Sequence, residues 1–386
     1  MEKSRALKFI VMFGLVSLFA DFAYEGSRSI TGPYLAHLGA NGAEVGIVAG
    51  FGELLGYVLR LVSGRLSERT GKFWPITLFG YVIQMIAVPA LALAGSWPAA
   101  ALLIVVERIG KATRNPPRDV MLSHAAKEIG LGLAFGIHEA MDQAGALIGP
   151  LAVAAVLAVK GSYQMAFAVL LIPAAITLTL LFLTRLKFPK PEGQMESTPD
   201  LKGEGLPRVF WVYLAGAALV AAGFSDFSLM SYHFAKAGVV SSNWIPVFYA
   251  VAMGTSGAGS LAFGKLFDKT GIIVLVPLTI IATLFAPLSF LGGSAAVLAG
   301  CALWGMGMGV HESIIPAAVA AMVPVQRRPS AYGIFTAGYG VFWFFGSAVS
   351  GFLYDVSIPA LVAFSMAAQL ASIPFFLWVR KHPAGA

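Results

Sequence analysis

Long apolar runs follow one another along almost the whole chain, and they limit the possible folds more than any other feature. Many of these runs approach the ~20 residues that an α-helix needs to cross the hydrocarbon core of a bilayer. The 386 residues are 58% hydrophobic and only 12% charged, about half the charged fraction of a soluble domain. A water-soluble core of this size could not bury so much apolar surface. The sequence therefore predicts an all-α protein that crosses a membrane many times.

The distribution of positive charge predicts the orientation of these helices. With the N-terminus inside the cell, most of the 26 Lys and Arg residues fall at cytoplasmic termini and loops, which is the positive-inside pattern. Topology thus accounts for the net charge of +7, and we predict no nucleic-acid partner. We expect an integral protein of a bacterial inner (plasma) membrane, surrounded by lipid, with both termini in the cytoplasm. The twelve predicted spans are residues 8–30, 43–63, 73–94, 98–121, 131–158, 163–184, 208–231, 243–263, 272–291, 295–322, 330–353 and 359–379.

The chain repeats itself at half its length. Residues 185–207 are rich in Pro, Gly and charge, and they predict a cytoplasmic linker between an N-terminal six-helix bundle (1–184) and a C-terminal one (208–386). The phrase "FADF", which ends at Phe22, returns as "FSDF", which ends at Phe227, and "AFGI" from Ala134 returns as "AYGI" from Ala331. Parallel repeats of this kind are typical of transporters whose two halves rock about a central substrate site.

A second repeat carries a more specific resemblance. "GRLSERTGK" (64–72) and "GKLFDKTGI" (264–272) both fall between the second and third predicted helix of a half. The chain resembles the Major Facilitator Superfamily, which has such a loop at these two places. The resemblance implies twelve helices in two pseudo-symmetric bundles, transport by alternating access, no cofactor and a monomer. The loops are expected to act as a conformational latch through Gly64, Glu68 (where the family usually has Asp), Arg69, Gly71, Lys72, Gly264, Asp268, Lys269 and Gly271.

Charged residues inside the predicted spans point to a functional site. Each costs about 2.5–3.5 kcal/mol on insertion scales, so such residues usually face a cavity. Those of the first, fourth and fifth helices lie on one face of each helix at similar depth, and we expect them to meet around a water-filled space. A purely structural network of ion pairs is the alternative. The residues are Asp21, Glu25 and Arg28; Glu107, Lys111, Arg114 and Arg118; and His138, Glu139 and Asp142.

These residues suggest roles in a proton-coupled carrier. A carboxylate that carries the proton must balance desolvation against nearby cations, and the candidates are Asp21, Glu25, Glu107, Glu139 and Asp142. Asp21 and Glu139 are preferred, with Asp142 next. An apolar, aromatic C-terminal half opposite a charged N-terminal half suits an amphipathic organic ion. The candidate substrate contacts are Arg28, Lys111, Arg114, Arg118, His138, Trp304, His311, Glu312 and Trp343.

The direction of transport is indicated by one further motif. Gly145, Gly149 and Pro150 fit the G-x-x-x-G-P core of the fifth-helix motif of exporting antiporters in the family that the chain resembles. The predicted function is therefore proton-coupled efflux of a small, amphipathic organic substrate.

Two other transport functions are open alternatives, whereas an enzyme is not predicted. The basic residues of the fourth helix suit proton-coupled uptake of an anionic metabolite. Divalent-metal transport would use His138, Glu139, Asp142, His311 and Glu312, whose nitrogen and oxygen atoms suit such ions. The chain lacks an ATP-binding P-loop. The segment "HEAMD" (138–142) lacks the second His of a zinc-protease helix. The single cysteine leaves no disulfide framework.

Overall fold

The computed structural model describes residues 3–189, 205–324 and 327–382, and within these ranges the chain consists of helices joined by short turns and loops, with no strand. The predicted linker, 185–207, lies largely outside them. The helices of the first half are α1 (Lys3–His37), α2 (Gly42–Thr70), α3 (Phe73–Ala90), α4 (Trp97–Ile129), α5 (Leu131–Lys160), α6 (Tyr163–Val169) and α7 (Leu171–Lys187). Those of the second half are α8 (Arg208–Gly223), α9 (Phe227–Lys236), α10 (Ile245–Thr270), α11 (Leu275–Thr283), α12 (Phe285–Leu291), α13 (Ser294–Met322), α14 (Arg328–Val356), α15 (Ile358–Leu370) and α16 (Ile373–Lys381).

Ten segments of the described residues are long and apolar enough to span a membrane. One of them, Ile245–Leu291, is 47 residues long and covers two of the twelve predicted spans. The predicted span 98–121 is absent from the ten, although α4 is a continuous helix there, because its charged residues lower its hydropathy. The prediction of an all-α membrane protein is confirmed, and the twelve-helix plan is consistent with these segments.

The chain forms two compact units whose composition departs from a simple division into halves. Among the described residues, unit 1 takes in 3–39, 55–189 and 242–250, and unit 2 takes in 40–54, 205–241, 251–324 and 327–382. The start of α2 thus belongs to unit 2, whereas the rest of α2 belongs to unit 1. The start of α10 belongs to unit 1 in the same way. The boundaries 1–184 and 208–386 stay a prediction.

The two copies of the repeated phrase end their helices in the same way. The helix α2 ends at Thr70 and α10 ends at Thr270. The next residues, Gly71 and Gly271, have φ angles of +64° and +68°, a left-handed conformation that only glycine adopts without strain. No other atom lies within 4 Å of a Cβ built on either glycine. The backbone conformation, rather than close packing, therefore explains why both copies have a glycine at this position.

The prolines of α4 do not interrupt the helix. Pro116 and Pro117 lie inside Trp97–Ile129, and Pro116 has no N–H to donate to the carbonyl of Ala112 four residues earlier. The hydroxyl of Ser63 on α2 donates to this carbonyl at 2.9 Å. A neighbouring helix thus satisfies the backbone group that the proline leaves free, as membrane interiors require.

Candidate functional site

Arg114 on α4 lies at the centre of a buried polar cluster in unit 1. Its side chain is fully buried, and a buried guanidinium is stable only where acceptors satisfy it. Its Nη2 atom lies 3.3 Å from Asp21 Oδ1. Its Nε atom donates to Gln84 Oε1 at 2.6 Å, and Nη1 donates to the hydroxyl of Tyr81 at 2.8 Å. Arg114 thereby joins α1, α3 and α4.

Glu107 extends the cluster along α4. Gln84 Nε2 donates to Glu107 Oε1 at 2.9 Å, and Glu107 Oε2 lies 3.6 Å from Arg108 Nε. Arg108 Nη1 donates to the hydroxyl of Tyr24 on α1. Gln84, with one amide oxygen on Arg114 and its amide nitrogen on Glu107, connects the two charged groups. The predicted face of α4 did not include Arg108, but this residue is buried among the same partners.

Glu25 binds one hydroxyl group and one ammonium group from other helices. Its Oε2 atom accepts a hydrogen bond of 2.5 Å from Tyr249 OH, and its Oε1 atom lies 3.8 Å from Lys111 Nζ. The ammonium of Lys111 also lies 3.4 Å from the centre of the Tyr24 ring. A carboxylate beside the face of an aromatic ring is a favourable environment for an ammonium ion. We call Tyr24, Glu25 and Tyr249, together with the ammonium of Lys111, the ammonium subsite.

The fifth helix contributes a second group of contacts. His138 is buried, with Nε2 2.8 Å from Ser17 Oγ and Nδ1 3.5 Å from Asp142 Oδ2. The other oxygen of Asp142, Oδ1, is buried with no hydrogen-bond partner among the described residues. Arg118 binds Asp119 at 2.8 Å on its own helix, and Asp142 lies within electrostatic reach of Arg118.

Two further predicted residues of unit 1 lie in different settings. Arg28 is buried and lies within electrostatic reach of Tyr24 and Tyr249, next to the ammonium subsite. Glu139 is exposed and accepts a hydrogen bond of 2.9 Å from Gln143, one turn along α5.

Three predicted residues of the C-terminal half form an aromatic cluster in unit 2. The ring of Phe224 lies 5.7 Å from Trp304, 4.3 Å from His311 and 5.7 Å from Trp343, measured between ring centres. Trp304 Nε1 donates to a backbone carbonyl at 2.9 Å, and His311 Nδ1 lies 2.7 Å from Tyr339 OH. All of these rings are buried. Their contacts fix the packing of α8, α13 and α14.

The glycines of the predicted exporter motif bring α5 against α1. A Cβ on Gly145 would lie 2.2 Å from the carbonyl oxygen of Leu18, and one on Gly149 would lie 2.2 Å from that of Phe22. Pro150 follows them inside α5. The two backbones are therefore in direct contact, which small residues allow in membrane helices.

The predicted latch residues lie at the ends of α2 and α10. Arg69, Lys72, Asp268 and Lys269 are exposed, and Glu68 is half-buried. A Cβ on Gly64 would lie at an ordinary contact distance, 3.5 Å, from Pro116, and Gly264 has open space around it. The latch role of these residues stays a prediction.

The metal alternative requires several ligands within one coordination sphere. No group of three or more His, Cys, Asp or Glu residues in the described part of the chain is arranged to hold a metal ion. His138 and Asp142 lie close together in unit 1, whereas His311 and the exposed Glu312 belong to unit 2. The divalent-metal alternative stays a prediction.

Comparison with known proteins gives the family. The sequence pattern of the Major Facilitator Superfamily matches residues 13–319. The chain belongs to the Major Facilitator Superfamily. This family consists of membrane transporters rather than enzymes, so the protein is an integral membrane transporter with a small-molecule substrate. The resemblance seen in the two repeated loops is confirmed.

Individual relatives and solved structures are similar to this chain over nearly its whole length. An uncharacterized protein of Mycobacterium tuberculosis is 41% identical over 383 residues, which cover 97% of this chain and 93% of the relative. A bacterial homolog of the human lysosomal transporter Spinster, in an inward-facing and unoccupied conformation, superimposes with a TM-score of 0.71 at 15% identity, covering 99% and 96% of the two chains. The peptide transporter POT in complex with sulfate superimposes with a TM-score of 0.76 at 14% identity, covering 97% and 94%. At these identities the two structures show a shared fold alone.

Several members of the polar cluster were not singled out by sequence. Tyr24, Tyr81, Gln84 and Tyr249 lie in apolar helices, where a tyrosine is an ordinary amphipathic residue. Gln84 gave the best signal, because it is the one amide in the apolar segment Phe73–Ala90. A buried amide in a membrane helix needs partners, and this requirement could have linked Gln84 to the charges of α4.

Proposed function

We propose that the protein exports a small, amphipathic organic cation in exchange for protons, by alternating access. In this proposal it acts as a monomer in a bacterial inner membrane, with both termini in the cytoplasm. The observation that carries the proposal is the pairing of acids and bases in unit 1, where Asp21 binds Arg114 and Glu25 binds Lys111. Ion pairs of this kind keep the empty site neutral, and a charged ligand or a proton can replace one partner.

The positive charge of the substrate is inferred from the ammonium subsite. Lys111 places its ammonium 3.4 Å from the Tyr24 ring centre and 3.8 Å from a Glu25 oxygen, as an amine ligand would. Its side chain is 19% exposed, against 10% for that of Glu25. Lys111 is thus the more accessible member of the pair, and a substrate amine that reaches Glu25 would displace it.

The proton is assigned to the carboxylates that meet around Arg114. Asp142 lies within electrostatic reach of Asp21, Glu139 and Arg114, and its Oδ1 atom has no hydrogen-bond partner in the described residues. We assign the exchanged proton to Asp21, which binds Arg114, and to Asp142, whose Oδ1 atom is free to hold it. Glu139 is the exposed candidate that would pass the proton to or from water.

Outward transport is supported by the contact between α1 and α5. Gly145, Gly149 and Pro150 match the pattern of exporting antiporters, and the two glycines set the position of the helix that carries Asp21 and Glu25. The alternative, uptake of an anionic metabolite, would use Lys111 and Arg114 as direct ligands for the anion.

Replacing Lys111 with methionine tests the charge of the substrate. We expect the Lys111→Met protein to bind tetrapropylammonium roughly tenfold more tightly than the natural protein, because the internal competitor for Glu25 and Tyr24 is gone. Isothermal titration calorimetry in detergent measures this change. Glu25→Gln is the matched control and should weaken binding of the same probe.

The opposite result would favour the anionic alternative. If Lys111→Met left tetrapropylammonium binding unchanged or weaker, and reduced binding of benzoate, Lys111 would be a ligand for an anion and the proposed substrate class would be wrong.

Proton coupling is tested separately from binding. Asp21→Asn and Asp142→Asn proteins in liposomes should still exchange radiolabelled tetrapropylammonium across the membrane, but an imposed pH gradient should no longer drive its accumulation, because the exchangeable proton is lost. Glu139→Gln should slow the driven flux, and Glu44→Gln, at the start of α2, should leave it unchanged. Full proton-driven flux in both aspartate variants would contradict the assignment.

A further inference from the structure

A pocket lies within unit 2, among the helices α8, α10, α11, α13, α15 and α16. All of the described residues that line it belong to this unit. Its space is about 450 Å³ when the open mouth is included. Most of the lining side chains are aliphatic or aromatic, such as Leu278, Ala282, Met306 and Phe376. Concave apolar surfaces with a few well-placed polar groups are the usual form of small-molecule sites.

Gln369 lines this pocket with an incomplete set of hydrogen bonds. The side chain is fully buried. Its Nε2 atom donates to the carbonyl oxygens of Gly223 and Ser365 and to the Ser365 hydroxyl, each at 3.2 Å. Its Oε1 atom is buried with no hydrogen-bond partner in the described residues. A buried amide oxygen that lacks a donor is unfavourable, so a molecule that supplies one would be stabilised here.

The surroundings of this amide determine its orientation. The Ser365 hydroxyl donates to the carbonyl oxygen of Gly223 at 2.6 Å, so its hydrogen is already used and the three atoms next to Nε2 can only accept. Exchanging the amide nitrogen and oxygen would place an oxygen against these three acceptors. Oε1 is therefore the unpartnered atom, and the pocket is the side from which a donor can reach it.

The lining also indicates what kind of molecule fits. Among its described residues there is no Asp, Glu, Lys or Arg, and a buried ion without a partner is unstable. Ile281, one of the lining residues, is 42% exposed and belongs to the apolar spanning segment Ile245–Leu291. An exposed aliphatic side chain in such a segment faces hydrocarbon. The mouth of the pocket is thus open to neutral molecules that dissolve in the bilayer.

We propose that this pocket, which we call the Gln369 pocket, binds a long-chain aliphatic alcohol from the bilayer. The hydroxyl group of the alcohol donates a hydrogen bond to Gln369 Oε1, and its alkyl chain lies against the apolar walls. The pocket shares His311 with the aromatic cluster, whereas the ammonium subsite and the contacts of Arg114 belong to unit 1. The inference therefore goes beyond the proposed function and concerns a second kind of ligand.

The test uses 3-azioctanol, a photoactivatable linear alcohol, with the natural protein in phospholipid nanodiscs. Mass spectrometry of peptides locates the adducts after irradiation. We expect adducts on the pocket-lining residues of α11 and α13 to exceed those on other lipid-facing helices, and 1-octanol to suppress them. Methyl octyl ether has the same chain but no donor. It should therefore require an about fivefold higher concentration in the bilayer, the ratio that one hydrogen bond gives.

Gln369→Leu should remove the preference for the alcohol. The variant loses the acceptor but keeps a side chain of similar size, and the carbonyl of Gly223 keeps its hydrogen bond from Ser365. Labelling by 3-azioctanol should fall about fivefold, and 1-octanol and methyl octyl ether should then compete equally. Gln164→Leu is the matched control, because it changes an exposed glutamine on α6, and it should label like the natural protein.

Filling the pocket is a second test that leaves Gln369 in place. Ala282→Leu adds side-chain volume to the wall, so labelling of α11 and α13 should fall. Ala363→Leu, at an exposed position of α15, should leave it unchanged. Adducts spread evenly over the lipid-facing helices, or equal competition by alcohol and ether in the natural protein, would overturn the proposal. The assay involves neither a pH gradient nor tetrapropylammonium, so failure of the proposed substrate or coupling leaves its result unaffected.

Discussion

Replacing Gly149 with valine should prevent the protein from folding into a stable transporter. A Cβ at this position would lie 2.2 Å from the carbonyl oxygen of Phe22 and 3.1 Å from the amide nitrogen of Gly26. Both are backbone atoms of α1, so no side-chain rotation relieves the clash and the two helices must separate. We expect a cost above the ~1–3 kcal/mol typical of an overpacked core.

The measurement is the yield of monodisperse protein after detergent extraction, together with its thermal unfolding temperature. Gly136→Val is the matched control, because Gly136 lies on the same helix and no other atom lies within 4 Å of a Cβ built on it. A Gly149→Val protein as stable as Gly136→Val would show that α1 and α5 do not make this contact.

The fold of this chain was predictable because it rests on composition and repetition. Apolar runs of spanning length predict the helices, and the repeated loop at 64–72 and 264–272 predicts the family whose fold the chain has. Neither inference requires knowledge of a contact. The predicted sixth span, 163–184, is nevertheless divided into α6 and α7 around Leu170, a local turn that hydropathy averages away.

The partners within the site were not predictable in the same way. Asp21 and Glu25 lie one turn apart on α1, and sequence spacing allows either to pair with Lys111 or Arg114 on α4. The choice depends on the rotation and height of α1, which the close contact with Gly145 and Gly149 of α5 determines. Periodicity gives the face of a helix, whereas pairing is set by the packing of its neighbours.

The contact between Asp355 and the start of α2 could not be predicted from the sequence. Asp355 follows Gly42 by 313 residues, and neither residue has an unusual local sequence. The glycine spacing at 42, 46 and 50 was a usable signal of close helix packing, but it does not name the partner helix. Only the folded chain brings α14 to this position.

Replacing Arg114 with methionine should remove both stability and transport. The side chain is fully buried and binds Asp21, Gln84 and Tyr81, so its loss leaves the half-buried carboxylate of Asp21 and the amide oxygen of Gln84 without their donor. Removing one partner of a buried ion pair typically costs about 3–5 kcal/mol. Unfolding in mixed micelles should show a loss of this order, and transport of tetrapropylammonium should disappear.

The conservative variant separates charge from geometry. Arg114→Lys keeps the positive charge for Asp21, but a single ammonium cannot reproduce the planar donors that reach Gln84 and Tyr81. We expect it to recover part of the stability lost in Arg114→Met. Stability equal to that of the natural protein in Arg114→Met would contradict the buried network itself.

The double variant Arg114→Met with Asp21→Asn distinguishes a transport site from a structural network. Neutralising both partners removes the unpaired buried charge, so stability should rise above that of Arg114→Met alone. If the pair only holds α1 against α4, proton-driven transport should return together with stability. If Asp21 carries the proton as proposed, the double variant should be stable and yet unable to couple transport to a pH gradient. The two readouts therefore separate the roles of the same two residues.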